Sequence, residues 1–332
     1  MNERLQPATR NRRRAMLTTA MGPLITSALE DERTTEVMVN PDGRLWLDRH
    51  GEGRIATGQT IGAADRERII RVVASHVGQE CHAHQPIVSA ELPETGERFE
   101  GVLPPVAPAP CFSIRKPATV LYRLSDYVSA EILTPLQAAA LQEVVETKQN
   151  IVVVGGTGSG KTTLANALLA EVAGSGDRVI VIEDTSELHC AAEDFVALRT
   201  RPGIASLADL VRSTMRLRPD RIVIGEVRGP EALDMLKAWN TGHPGGITTL
   251  HANSGQAGLY RLEQLIQEAV ITVPRRLVAE AIDIVVFLKG RGPGRRVETV
   301  SALKGLDGNG DYCLETLTPR PPPTSRPTSP IA

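Results

Sequence analysis

Aromatic side chains make up only 3% of this 332-residue chain, too few to build a stacking platform for single-stranded nucleic acid. Charge of one sign is missing as well. The 37 basic and 39 acidic residues leave a net charge of -2, so no global field marks a nucleic-acid binder, and direct sequence-specific recognition of nucleic acid is not expected. No apolar run approaches the roughly 20 residues of a membrane span. The stretch from Leu17 to Leu29, behind a basic N-terminus, is broken by Thr, Gly and Pro, unlike the unbroken apolar region of a signal peptide. The expected location is therefore cytoplasmic. Cysteine is sparse too: Cys81, Cys111, Cys190 and Cys313 form no CxxC pair. Cys81-His82-Ala83-His84 would need a second ligand pair to hold a structural metal, and His189-Cys190 is poorly arranged to supply it. Reduced, partly buried thiols are the better reading.

What remains is an ordinary globular composition, 41% apolar and 23% charged, on a chain long enough for two cores. Residues 1–30 read as a basic arm and a helix. Arg4, Arg10, Arg12, Arg13 and Arg14 oppose only Glu3, which suggests a disordered arm, or in function a contact with an anionic membrane surface. An amphipathic helix then runs up to Glu30. From Thr35 short alternating strands take over, with turns at Asn40–Gly43, Gly51–Gly53 and Pro93–Gly96. One helical pattern at Arg66–Val77 puts Ile69, Ile70, Val73 and Val77 on one face. Residues 31–115 thus form a small α+β domain, with Pro104–Pro110 as an extended connection inside it. Residues 116–133 read as a linker. Thr134-Pro135 supplies an N-cap and a first helical residue. Beyond it, apolar β-type runs at Ile151–Val154, Val179–Ile182, Ile222–Ile224, Thr248–Leu250 and Ile282–Leu288 alternate with helices. That pattern predicts a largely parallel sheet covered on both faces over residues 134–318. The Pro-, Ser- and Thr-rich tail, residues 319–332, is expected to be disordered.

The chemistry concentrates in the second domain. Gly155-Gly156-Thr157-Gly158-Ser159-Gly160-Lys161-Thr162 is a complete GxxxxGK[ST] between a strand and a helix. Glycines let backbone N–H groups curl around phosphate, and the helix N-terminus adds partial positive charge. Lys161 supplies a point charge to the β- and γ-phosphates, Thr162 a hydroxyl ligand to Mg²⁺, and Thr163 belongs to the same first turn. ATP and Mg²⁺ are the expected ligands. The strand Ile222–Ile224 leads to Gly225-Glu226. The acid usual at the end of such a strand is absent and Glu226 is the only carboxylate, able to hold the Mg²⁺ water shell or orient a water. Glu183, after Val179–Ile182, can take the proton of a hydrolytic water. The run Thr248-Thr249-Leu250-His251 puts His251 where it can sense a γ-phosphate. By contrast, Asp307-Gly308-Asn309-Gly310-Asp311 only imitates a Ca²⁺ loop, since Tyr312 stands where that loop needs glycine, and reads as a turn between strands.

The order of these blocks resembles the type II/IV secretion ATPases, whose members carry Walker A, Asp, atypical Walker B and His boxes. Within that superfamily the sequence looks most like the TrbB-type conjugal transfer ATPases of type IV secretion. The resemblance runs from about residue 35 to 318. It implies an α/β, RecA-like P-loop ATPase domain behind a smaller, PAS-like N-terminal α+β domain. It further implies a homo-hexameric ring, with each nucleotide between the two domains and inner-membrane channel components as partners. Peripheral association with the cytoplasmic face of that membrane is then the functional reading of the basic arm. Glu183 is implied to polarise the attacking water and Glu226 to act on the Mg²⁺ side. Phe112-Ser113-Ile114-Arg115-Lys116-Pro117 resembles the family's N-terminal arginine segment, making Arg115 a phosphate contact. Leu198-Arg199-Thr200-Arg201 resembles the segment that supplies further arginines, here Arg199 and Arg201. The rival readings are a pilus assembly or retraction motor, a small-molecule P-loop kinase, and a scaffold that binds ATP without hydrolysing it.

Overall fold

A computed structural model of the chain describes residues 7–92, 95–117, 121–201 and 203–317. The tail 319–332, Arg4 and half of the turn at Pro93–Gly96 lie outside the described residues. The chain divides into two units, residues 1–119 and 120–332. Among the described residues no helix is long and apolar enough to cross a membrane.

In the first unit the order is α1 (Pro7–Glu30), β1 (Thr34–Val39), β2 (Arg44–Arg49), β3 (Gly53–Thr60), α2 (Ala63–His76), β4 (Ile87–Glu91), β5 (Arg98–Val102) and β6 (Cys111–Arg115). Two meanders meet where β1 pairs with β6, giving an antiparallel sheet ordered β3-β2-β1-β6-β5-β4. The segment expected to be a disordered basic arm is helical from Pro7 onward. Proline is well placed at a helix start, and the Ala, Arg and Leu residues behind it are good helix formers. Gly22, at φ 72 and ψ 173, breaks the helix before Pro23. On either side of that break Leu17, Met21, Ile25 and Ala28 are buried in one core with Val37, Ile70, Phe99 and Ile114. Arg66 is buried here and donates to the carbonyls of Pro110 (2.6 Å), Pro41 (2.9 Å) and Ile61, with no ion-pair partner among the described residues. It thereby ties the Asn40–Gly43 turn and the Pro-rich connection to α2.

The second unit runs α3 (Leu124–Ser129), α4 (Pro135–Glu146), β7 (Ile151–Gly155), α5 (Lys161–Glu171), β8 (Val179–Glu183), β9 (Phe195–Arg199), α6 (Leu207–Thr214) and β10 (Arg221–Ile224). It continues with α7 (Glu231–Trp239), β11 (Ile247–His251), α8 (Gly255–Gln267), α9 (Arg275–Ala281), β12 (Ile284–Lys289), β13 (Arg296–Leu306) and β14 (Tyr312–Thr316). The sheet order is β14-β13-β12-β7-β11-β10-β8-β9. From β12 to β9 every pairing is parallel, and the β12-β13-β14 end is antiparallel. Alternate residues of one strand serve opposite cores. Ile151 and Val153 pack with α4 and α5, and Val152 and Val154 with α7 and α8. Each such side chain contributes about 1.5 to 3 kcal/mol on burial. Thr134 caps α4 as a capping box, accepting from the Gln137 N–H at 3.1 Å while the Gln137 side chain accepts the Thr134 N–H at 2.9 Å.

In the second unit two features depart from the sequence reading. Within the stretch expected to be a linker, α3 buries Leu124 and Tyr127 in the same core as α4 and β7. An additional strand, β9, extends the sheet beside β8.

A polar network lies at the strand starts, away from the P-loop. Asp177 accepts from Arg221 Nε and Lys148 Nζ, both at 2.6 Å, and Arg221 also donates to the Val145 carbonyl at 3.0 Å. Burial alone would raise the Asp177 carboxyl. The hydrogen bonds from Lys148, Arg221 and Ser175 outweigh it and hold the group below the usual range. Asp177→Ala would strand the Arg221 guanidinium, only 2% exposed, without a counter-ion. The expected loss is about 3 to 5 kcal/mol, read as a lower urea midpoint with an unchanged m-value.

Candidate nucleotide site

Parallel register delivers the polar residues to one edge of the second sheet, the carboxyl ends of its strands, where open α/β sheets bind ligands. His251 of β11 is opposite Gly155 of β7. Ile224 of β10 is opposite Ile182 of β8, so Gly225 comes beside Glu183 and Glu226 follows one residue further on. Between β7 and α5, Gly158 and Gly160 take φ 73 and 91, a region that glycine enters without steric cost. α5 starts at Lys161, and the first N–H groups of a helix have no acceptor within it. Ser159 Oγ is buried without a hydrogen-bond partner among the described residues. A curled loop, a helix N-terminus, a buried lysine and an orphaned hydroxyl together fit a polyphosphate. Thr162 and Thr163 are half-buried in the first turn, while Thr157 and Gly158 are exposed. The Thr162 hydroxyl and the Glu226 carboxylate are hard oxygen donors of the kind Mg²⁺ takes beside phosphate.

A chain of polar contacts joins three of the expected residues. Lys161 Nζ donates to the Gly156 carbonyl and lies 3.2 Å from His251 Nδ1. His251 Nε2 lies 2.8 Å from a carboxylate oxygen of Glu226. The imidazole thus bridges the lysine and the carboxylate. Glu226 also accepts from Arg228 Nε at 2.8 Å.

Glu183 is set differently. Its side chain is buried, and one oxygen accepts the backbone N–H groups of Glu187 (3.0 Å) and Leu188 (2.8 Å). Burial pushes its carboxyl up to about 7, against those two hydrogen bonds and the nearby Arg199 charge, which lower it. A base near neutrality suits proton abstraction at physiological pH. At Gly225 a Cβ would crowd the glutamate, standing 3.1 Å from Glu183 Cγ and 3.3 Å from Oε1.

The expected arginines are spread out. Arg199 ends β9, exposed and in register with Glu183, and Arg201 is exposed just beyond, its backbone paired with Ala205. Arg115 belongs to the first unit, exposed at the end of β6. Sequence reasoning gave no role to three others, Arg228, Arg291 and Arg295. Arg228 sits two residues past Glu226. The other two lie in the Gly- and Arg-rich turn between β12 and β13, whose composition was the available signal. Burial pushes up the thiols of Cys81, Cys111 and Cys190.

Residues 31–288 match the family described as "Type II/IV secretion system protein". The chain belongs to the type II/IV secretion system protein family. It is 47% identical to the conjugal transfer protein TrbB of Rhizobium radiobacter, with 87% of this chain and 90% of that protein covered. It is 45% identical to the probable conjugal transfer protein TrbB of Sinorhizobium fredii, over 90% and 91% of the two chains. The crystal structure of the Legionella pneumophila ATPase DotB superposes with a TM-score of 0.55 at 20% identity, covering 87% of this chain and 78% of that one. At that identity the likeness speaks for the α/β fold alone. Membership of this secretion-system family agrees with the resemblance carried by the P-loop and the blocks at Glu183, Glu226 and His251.

Proposed function

We propose that the protein hydrolyses ATP with Mg²⁺ as a ring-forming, hexameric motor of type IV secretion, powering conjugative transfer or assembly of its pilus. One observation carries the catalytic part: the Lys161–His251–Glu226 chain and the near-neutral Glu183 surround one curled glycine loop. A triphosphate entering that loop competes with Gly156 and His251 for the Lys161 amine, so occupancy is transmitted through His251 to Glu226. Glu183 holds and deprotonates the attacking water. Mg²⁺, held by Thr162 and, through water, by Glu226, would neutralise charge on the phosphate oxygens. Arg115, Arg199 and Arg201 are read as clamps completing that neutralisation, since one lysine is too few for the charge in the transition state. Head-to-tail closure lets one subunit's arginine reach another's phosphate.

Residues 31–115, which we read as PAS-like, and 134–318 would be the two moving domains. The conjugal-transfer relatives supply the task, and with it inner-membrane channel components as partners of a protein working at the cytoplasmic face. The test is phosphate release measured across gel-filtration fractions with MgATP. Activity is expected to elute with a ring-sized assembly. A stable monomer that transfers phosphate to a small molecule would replace this reading by a kinase.

A further inference from the structure

The turn between β12 and β13, Lys289-Gly290-Arg291-Gly292-Pro293-Gly294-Arg295-Arg296, carries four cations in two distinct settings. Lys289 and Arg296 are spent on one carboxylate, Glu298, at 3.2 and 2.6 Å. Arg291 and Arg295 have no carboxylate partner among the described residues and turn to the P-loop instead. Arg295 donates to the Gly158 carbonyl at 3.4 Å. Its guanidinium lies so close over Gly160 that a Cβ there would stand 2.9 Å from Cζ, while the same construction on Gly158 meets Arg291 Cδ at 3.7 Å. The Arg295 Nε–H is buried with no acceptor among the described residues, a donor that folding leaves unused.

Sheet order gives this turn a side. β12 flanks β7 on one side, and β11, β10 and β8, with His251, Glu226 and Glu183, lie on the other. A nucleotide whose γ-phosphate faces those acids directs its α-phosphate and ribose toward β12.

We propose that the β12–β13 turn forms the α-phosphate and ribose wall of the nucleotide site, with Arg295 as a positioning residue that braces Gly158–Gly160 and Arg291 as a direct contact. The inference rests on the nucleotide-binding reading above. Glycine loops lose much conformational freedom when ordered, and a planar cation braced against both glycines reduces that loss before ligand arrives. Because the wall is remote from the γ-phosphate, it serves ADP and ATP alike.

The test is calorimetric affinity for MgADP and MgATP of the wild type, Arg291→Ala, Arg295→Ala and Arg295→Lys, together with kcat and KM. Arg291→Ala and Arg295→Ala are each expected to weaken both nucleotides by the same factor, about tenfold, with kcat at saturation within about twofold. Arg295→Lys keeps a donor and a charge and is expected to recover to within about threefold of wild type. Wild-type affinity in both alanine variants, or a loss confined to kcat or to ATP, overturns the proposal. If Arg295→Ala does not fold, Arg291→Ala and Arg295→Lys decide on the same criteria. A wild-type protein that binds neither nucleotide instead sinks the nucleotide site itself, a result read before any variant is compared.

Discussion

Lys161→Ala is expected to lower phosphate release by about a thousandfold and to reduce MgATP affinity by at least about tenfold. Lys161 is buried, 6% exposed as a residue, and its amine donates within the P-loop to the Gly156 carbonyl, so its loss leaves no equivalent counter-charge there. Truncation also deletes the donor that joins Gly156 to His251, so the link from loop to Glu226 is cut as well. Lys161→Met retains the buried stem and separates the two losses: packing survives and the charge does not. Lys161→Met should unfold within a few degrees of the wild type, because the buried stem is kept. Phosphate release and calorimetry provide the check. Turnover above a tenth of wild type in Lys161→Ala would remove the P-loop from the mechanism.

Glu183→Gln is expected to abolish hydrolysis yet stabilise the fold. Glutamine keeps the oxygen that accepts from Glu187 and Leu188 but cannot take a proton from water. The wild-type carboxyl is raised from its ordinary 4.5 to about 7, chiefly by burial. Between those two pH values the unfolded chain has it ionised and the folded protein has it protonated. Folding therefore takes up a proton, and stability falls as pH rises through that window. Below 4.5 there is no cost, and above about 7 the cost is constant. At about 1.4 kcal/mol per pKa unit, it amounts to at most about 3 kcal/mol, and Glu183→Gln should recover about 2 kcal/mol of it at pH 8. Catalysis has the opposite sign: kcat/KM of the wild type should rise with pH through about 7 as the base is freed. Urea titrations of both proteins at pH 5 and pH 8 provide the measurement. A variant less stable than the wild type at pH 8 would mean that the carboxylate is well solvated.

Much of this could be read from the chain because the signals are local. The buried strands β7, β8 and β10 each carry an unbroken run of Val and Ile, and the P-loop is contiguous. What could not be read involves either weak periodicity or distant partners. Strand β9, Phe195–Arg199, alternates between exposed and half-buried residues at a sheet edge, so its apolar signal is diluted. Helix α3 is six residues long, too short for a helical period to register. The helix over Pro7–Arg14 was masked by the charge of its arginines, which argued for solvation, whereas the apolar residues that anchor it come later, from Leu17 to Ala28. Arg295 reaches a carbonyl 137 residues away, and nothing in the spacing of a Gly- and Arg-rich turn specifies that target. Glu226 and His251 were both named from their strands, but their contact depends on the order in which β10 and β11 lie in the sheet.

The close approach of position 225 to the acid on the neighbouring strand also bears on how such sites can diverge. Two positions forty-two residues apart share one small volume: a side chain at the end of β10 would crowd the longer acid on β8, which would have to give by a few tenths of an ångström. A chain of this fold with an aspartate at 225 would relieve that crowding by shortening or shifting the group at 183. An exchange that adds a side chain at 225 is therefore expected to be better tolerated where the group at 183 is shorter.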